Sequence, residues 1–194
     1  MSDILKDFSI EVMPRTLAKV DCLDALLPEG SRVYVAHIEG VEFPDMLATA
    51  KRLSEAGYRV MPHFPARIVS NARMLESWVE RYVGEANVSE ALLLAGSPRT
   101  PSGDFADSMQ LIQTGIFEKY QFKRLHVAGH PEGNKDIDPD GSGEKVRKAL
   151  AWKQAYADQC NTHMAIVTQF AFDAHTVVDW ADMLLEEGIR MPVH

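Results

Sequence analysis

Short apolar, β-branched runs alternate along the chain with longer amphipathic ones. The pattern predicts strands at Phe8–Met13, Arg32–Ile38, Arg59–Phe64, Ala91–Ala95, Arg124–Ala128, Met164–Phe170 and Ile189–His194. Several are apolar at nearly every position, as in Val33-Tyr34-Val35-Ala36 and Ala165-Ile166-Val167. Strands with one wet face alternate, whereas strands covered on both faces do not need to. Between the strands the apolar period lengthens to that of a helix. Met46, Leu47, Ala50 and Leu53 form one stripe, which stops at Gly57. Met74, Leu75, Trp78, Val79 and Tyr82 form a second. Ala174, Val177, Val178, Ala181, Leu184 and Leu185 form a third, ended by Gly188. A strand that must reach a parallel partner needs such a crossover, so the predicted class is α/β.

Within that class, a doubly wound sheet often carries a glycine-rich turn after its first strand. Here that turn is Met13-Pro14-Arg15-Thr16, without glycine. Seven strands in succession favour a parallel (β/α)8 TIM barrel, which usually takes about 250 residues. With 194 residues the expectation is a single incomplete barrel domain over 1–194, seven-stranded and truncated at its C-terminus. The seventh helix and the eighth βα unit are then missing, and either the chain is a fragment or a partner covers the open strand edges.

Barrel enzymes build their sites at the C-terminal ends of the strands. In chain order those ends carry Glu11 and Arg15, His37 and Glu39, His63 and Arg67, then Ser97 and Arg99. The fifth leads into His130, Glu132 and Asn134, the sixth carries Gln169 and Asp173, and the seventh ends in His194. His37, His63, His130 and His194 thus gather at one end. Glu11 interrupts an apolar strand; burying a lone carboxylate is costly, so its pKa must rise or a partner must face it. Gln169 poses the same question for an amide. Arg15, Arg67 and Arg99 read as helix-entry or surface residues, and Lys153 as a solvated helix charge. Gly141-Ser142-Gly143 after Asp138-Pro139-Asp140 reads as a loop with a helix cap, or alternatively as a phosphate cradle at a helix N-terminus.

Composition narrows the partners. The chain is 46% hydrophobic and 25% charged, as in soluble globular domains. A net charge of -8 leaves no basic surplus for a phosphate backbone, which argues against nucleic acid. Cys22 and Cys160 lie far apart and outside any CxxC spacing, as expected in a reducing compartment. The charged start Met1-Ser2-Asp3-Ile4-Leu5-Lys6-Asp7 is unlike a signal peptide, and no apolar run approaches the roughly 18 residues of a membrane span. These features predict a cytoplasmic protein.

Ser9-Ile10-Glu11-Val12-Met13-Pro14, Val127-Ala128-Gly129-His130-Pro131-Glu132 and Ile166-Val167-Thr168-Gln169-Phe170, with four further matches in order along the chain, together resemble the flavin-dependent methylenetetrahydrofolate reductases. Ser9-Ile10-Glu11-Val12-Met13-Pro14-Arg15-Thr16 is similar to the family's opening S-F-E-F-F-P-P-K-T, and Met61-Pro62-His63-Phe64 to its P-H-L. Ala91-Leu92-Leu93-Leu94-Ala95-Gly96-Ser97-Pro98 takes the place of A-L-R-G-D-P, and Val127-Ala128-Gly129-His130-Pro131-Glu132-Gly133 resembles V-A-G-Y-P-E-x-H. Lys153 sits where the family has L-x-x-K. Ile166-Val167-Thr168-Gln169-Phe170-Ala171-Phe172-Asp173 is close to I-T-Q-x-F-F-D, and Gly188-Ile189-Arg190-Met191-Pro192-Val193 follows G-I-x-x-P-I.

The resemblance implies a FAD enzyme that reduces 5,10-methylenetetrahydrofolate to 5-methyltetrahydrofolate with NADH or NADPH, in one-carbon metabolism. Glu11 would be the acid that opens the folate ring, and a raised pKa would suit it. His63, His130, Asn134 and Lys153 would line the flavin, Lys153 near its pyrophosphate. Gln169, Phe172 and Ser97 would meet the folate. The partner is then a small molecule, with no membrane, and a homo-oligomer is allowed. There are departures: the family's R-G-D is Ala95-Gly96-Ser97, its tyrosine and histidine after strand five are His130 and Asn134, and its threonine at the end of strand two is Ala36. An alternative is a folate-binding one-carbon enzyme that has lost flavin. Others are a metal-dependent hydrolase using His37, His63, His130 and His194, although no strand carries H-x-H, and an inert fragment.

Overall fold

In the computed structural model, which describes residues 8–160 and 162–194, every strand pair is parallel and helices alternate with the strands. The α/β class read from the periodicity is therefore the class of the structure. The chain forms two compact units, one ending at Lys123 and one running from Arg124 to His194.

The first unit contains β1 (Ser9–Val12), α1 (Pro14–Leu17), β2 (Arg32–Val35), α2 (Phe43–Glu55), β3 (Arg59–Pro65), a 3-10 turn (Ala66–Ile68), α3 (Ala72–Ala86), β4 (Glu90–Leu94), α4 (Ser108–Gln113) and α5 (Ile116–Lys119). Its strands pair in chain order, and the register sets Glu11 beside Tyr34, Tyr34 beside Met61, and His63 beside Leu92. Side chains alternate across a sheet, so Glu11, Tyr34, Met61, His63 and Leu92 share one face. Val33, Val35, Val60 and Phe64 are on the other, under the helices. There Phe64 meets Tyr82 edge-on, Tyr82 meets Phe43, and Phe43 stacks on Trp78 at 4.9 Å. Met46, Leu53, Leu75 and Val79 complete this layer with no exposed surface. The predicted stripes of α2 and α3 are these contacts. Short helices the periodicity missed have local causes: Asp107 and Gln110 form a capping box that starts α4.

The second unit contains β5 (Arg124–Gly129), α6 (Glu144–Ala157), β6 (His163–Thr168) and α7 (Ala174–Glu186). Gly129 is where β5 lets α7 approach: a Cβ there would lie 2.5 Å from Ile166 Cγ2 and 2.8 Å from Trp180 Cη2. Strand six stops at Thr168, two residues short of the prediction, and Phe170 beyond it is 81% exposed. The predicted strand Ile189–His194 shrinks to a single parallel bridge, Ile166 to Val193. Pro192 has no N–H and gives the ladder only its carbonyl, which accepts from Ile166 N–H at 2.7 Å. No helix among the described residues is long and apolar enough to cross a membrane.

Candidate functional site

Two clusters gather four of the residues singled out by sequence, Glu11 with His63 in the first unit and His130 with Lys153 in the second. In the first, Glu11 near the end of β1 and His63 near the end of β3 meet, with His63 Nε2 3.2 Å from Glu11 Oε2. The approach suits an ion pair but is off the line of a hydrogen bond. His63 is nearly buried, while the Glu11 side chain is 58% exposed. A carboxylate inside an apolar strand needed a partner, and His63 is that partner. The expected rise in pKa is replaced by a fall: contact with the His63 side chain holds the Glu11 carboxyl below the usual glutamate range, outweighing the upward push of partial burial. The Tyr34 ring stands edge-on to His63, with centroids 6.4 Å apart. Sequence reasoning missed Tyr34, because nothing distinguishes an aromatic in an apolar strand until the register is known. Ser97 is exposed in the loop after β4.

His37 belongs to the opposite, helix-side layer. Its ring packs on Trp78 at 5.2 Å and its Nε2–H donates to Val41 O at 3.0 Å. Burial, more than any charge, pushes its pKa down, so it is a neutral core histidine. A zinc site built on His37 and His63 would need both on one face. Among the described residues no group of three or more His, Cys, Asp or Glu is placed to hold a metal. Arg67 donates to Ala106 O and Pro98 O and clasps the loop after β4, a structural role. Arg15 lines a separate open groove of about 590 Å³, with Met13, Glu39 and Asp45.

In the second unit His130 follows β5 directly, and its Nδ1 is buried without a hydrogen-bond partner. Burial first, and the Lys153 charge second, lower its pKa. Lys153 is not the solvated charge expected: it is only 6% exposed. Val146, Leu150 and Lys153 are the buried residues of α6, at spacings of four and three, so the lysine lies on the helix's inner stripe. Asn134 turns inward on its own loop, its Oδ1 accepting from Asp136 and Ile137 N–H. Asp138, only 3% exposed, accepts from Lys145 and Val146 N–H at 3.0 Å each. It is the helix cap expected of this segment, and its carboxylate occupies the N-terminus where a phosphate cradle would have formed. Gln169 and Phe172 are exposed, Phe172 by 88%, with its N–H bound to Glu132 Oε1 at 3.0 Å. His126 is a residue the sequence reading passed over. It is fully buried, on the face of β5 opposite Trp180, and stacks on His194 at 5.1 Å. The signal that picked out Glu11, a polar residue within an apolar strand, applied to it equally. Compared with models of known protein families, the chain matches none, so the chemistry has to be read from these two clusters.

Proposed function

We propose that this chain is a methylenetetrahydrofolate reductase-like enzyme of incomplete (β/α)8 barrel type, reducing 5,10-methylenetetrahydrofolate to 5-methyltetrahydrofolate with NADH or NADPH through FAD. The observation that carries the reading is the Glu11–His63 pair at the C-terminal ends of β1 and β3, where the matching sequence segments also fall. Opening the folate ring requires a proton at a ring nitrogen as the exocyclic carbon becomes electrophilic. A glutamate held below its ordinary range is ionised at neutral pH and cannot bring that proton alone. Paired with His63 it can: the imidazole carries the proton and the carboxylate holds it in place. The acid of the reaction is then the pair.

His130 and Lys153 supply what a flavin dinucleotide asks of its site, a buried ring nitrogen with no protein partner and a buried cation. They would hold FAD, which when bound supplies hydride transfer from nicotinamide to the folate. The family resemblance assigns Gln169, Phe172 and Ser97, all exposed, to the folate. A second reading, a folate-binding one-carbon enzyme without flavin, is favoured by Asn134 and Asp138. Both spend their side-chain oxygens on their own loop and helix rather than facing outward.

The test is a coupled one. FAD is titrated into the purified protein by flavin fluorescence, and methylenetetrahydrofolate-dependent oxidation of NAD(P)H is followed. The proposal expects turnover that Glu11→Gln lowers by about 10²–10⁴-fold while NAD(P)H still reduces the flavin. Turnover above half of the parent's in Glu11→Gln removes Glu11 from the mechanism. An absence of flavin binding moves the reading to the flavin-free alternative.

A further inference from the structure

Glu11 and His63 stand on strands that are not neighbours. Between β1 and β3 runs β2, so the two backbones are about 9–10 Å apart, and the side chains must meet above β2. What β2 presents there decides whether they can. The register sets Tyr34 beside both Glu11 and Met61, and Val35 beside Pro62; carried one residue on, Ala36 stands beside His63. Ala36 N–H donates to Val12 O at 2.8 Å, so β2 still follows β1 at this point. Tyr34 and Ala36 therefore lie on the face shared by Glu11 and His63. Tyr34 is 5% exposed, with its ring edge-on to the imidazole. Ala36 is equally buried and contributes only a methyl group. One is a wall and the other a gap.

We propose that Tyr34 and Ala36 are the positioning residues of the proton-donating pair. Ala36 leaves the opening over β2 through which Glu11 Oε2 and His63 Nε2 meet, and the Tyr34 edge fixes the imidazole in it. The role assigned to the pair rests on the folate-reductase reading, but the positioning does not. Valine at 36 would put two more apolar carbons into the opening and part the two groups. Loss of the Tyr34 ring would let the imidazole turn away, whereas loss of its hydroxyl alone would not. Few other groups on this face can perturb the pair. Leu92 and Leu94 of β4 are apolar, and Arg32 and Glu90 pair with each other at the opposite, N-terminal end of the sheet. Arg59, on this face at the same N-terminal end, donates to Gly30 O, and His37 lies on the far side, though near enough for the His63 charge to act on it.

The experiment reads the Glu11 carboxyl directly, by ¹³C NMR titration of glutamate-labelled protein without added ligand. His63→Gln provides the unpaired reference. Ala36→Val and Tyr34→Leu are expected to bring the Glu11 titration up to that reference, while Tyr34→Phe leaves it at the parent's lower value. Thermal unfolding reports which variants are folded; should Ala36→Val not fold, Tyr34→Leu is read in the same way. Folded Ala36→Val or Tyr34→Leu titrating like the parent overturns the proposal, as does Tyr34→Phe titrating like the reference. The same preparations are assayed with methylenetetrahydrofolate. Titrations that move as expected in a protein that never turns over folate uphold the positioning and sink the folate reading, so the two fail separately.

Discussion

At the scale of single residues, two polar groups set against apolar surroundings in the first unit are treated differently. Glu11 found a partner, at the edge of the apolar face. Tyr82 did not: its ring is 1% exposed within the Phe43, Phe64 and Phe117 cluster, and its hydroxyl has no hydrogen-bond partner. Burial accordingly drives the phenol pKa far up. A buried hydroxyl left unsatisfied costs about 1–3 kcal/mol, while the ring's packing is what the site needs. Tyr82→Phe keeps the ring and is expected to leave stability unchanged or raise it by about 1 kcal/mol, measured by urea unfolding. A loss greater than about 1 kcal/mol would mean that the hydroxyl is satisfied in solution.

At the scale of elements, the helix ends carry much of the local order. Helix α6 begins after Gly143, and Gly143 has no side chain to cap it. The cap comes from farther back in the chain, from Asp138, whose two carboxylate oxygens take one N–H each. A carboxylate is favoured there by the helix dipole as well as by the hydrogen bonds. Asp138→Ala is expected to destabilise the protein by about 1–2 kcal/mol, with amide exchange accelerating first in Lys145 and Val146. Asp138→Asn, which retains an acceptor, should recover part of the loss. Equal exchange rates in the parent and Asp138→Ala would show the cap to be idle. Because α6 carries Lys153 beside His130, the same substitution is a way to loosen that cluster without touching either residue.

At the scale of the whole molecule, the first unit's shared sheet face is polar at both ends and apolar between. Its N-terminal end holds Arg32 and Glu90, paired at 2.7 Å and 3.2 Å, with side chains 8% and 14% exposed. They sit on β2 and β4 and reach across β3, tying together strands that share no ladder. Breaking a buried pair leaves a charge without compensation, at a cost of about 3–5 kcal/mol, whereas replacing both partners by apolar groups is often tolerated. Glu90→Leu should therefore unfold at markedly lower urea, and the double variant Arg32→Met with Glu90→Leu should regain most of the difference. If single and double variants are equally destabilised, the pair is not what joins the strands.

The α/β class, the parallel pairing and three of the longer helices were legible in the order of the residues alone. Each depends on periodicity, and periodicity is a property of neighbours along the chain. Glu11 was legible for a related reason: a carboxylate in an apolar strand is an anomaly at any register. Its partner was not. Nothing in the sequence pairs Glu11 with His63 rather than His37, because their separation depends on which face of β3 or β2 each histidine takes, and a step of one residue reverses the face. That step made His37 a core residue against Trp78 and His63 the neighbour of a carboxylate. It also reversed the expected direction of the Glu11 pKa, since a contact across two strands outweighs the burial that sequence could anticipate. Lys153 and Asp138 tell the same story for helices. Charge and capping propensity are written in the residue, but whether a lysine falls on the inner stripe, or a carboxylate reaches a helix seven residues away, is decided only when the chain has packed.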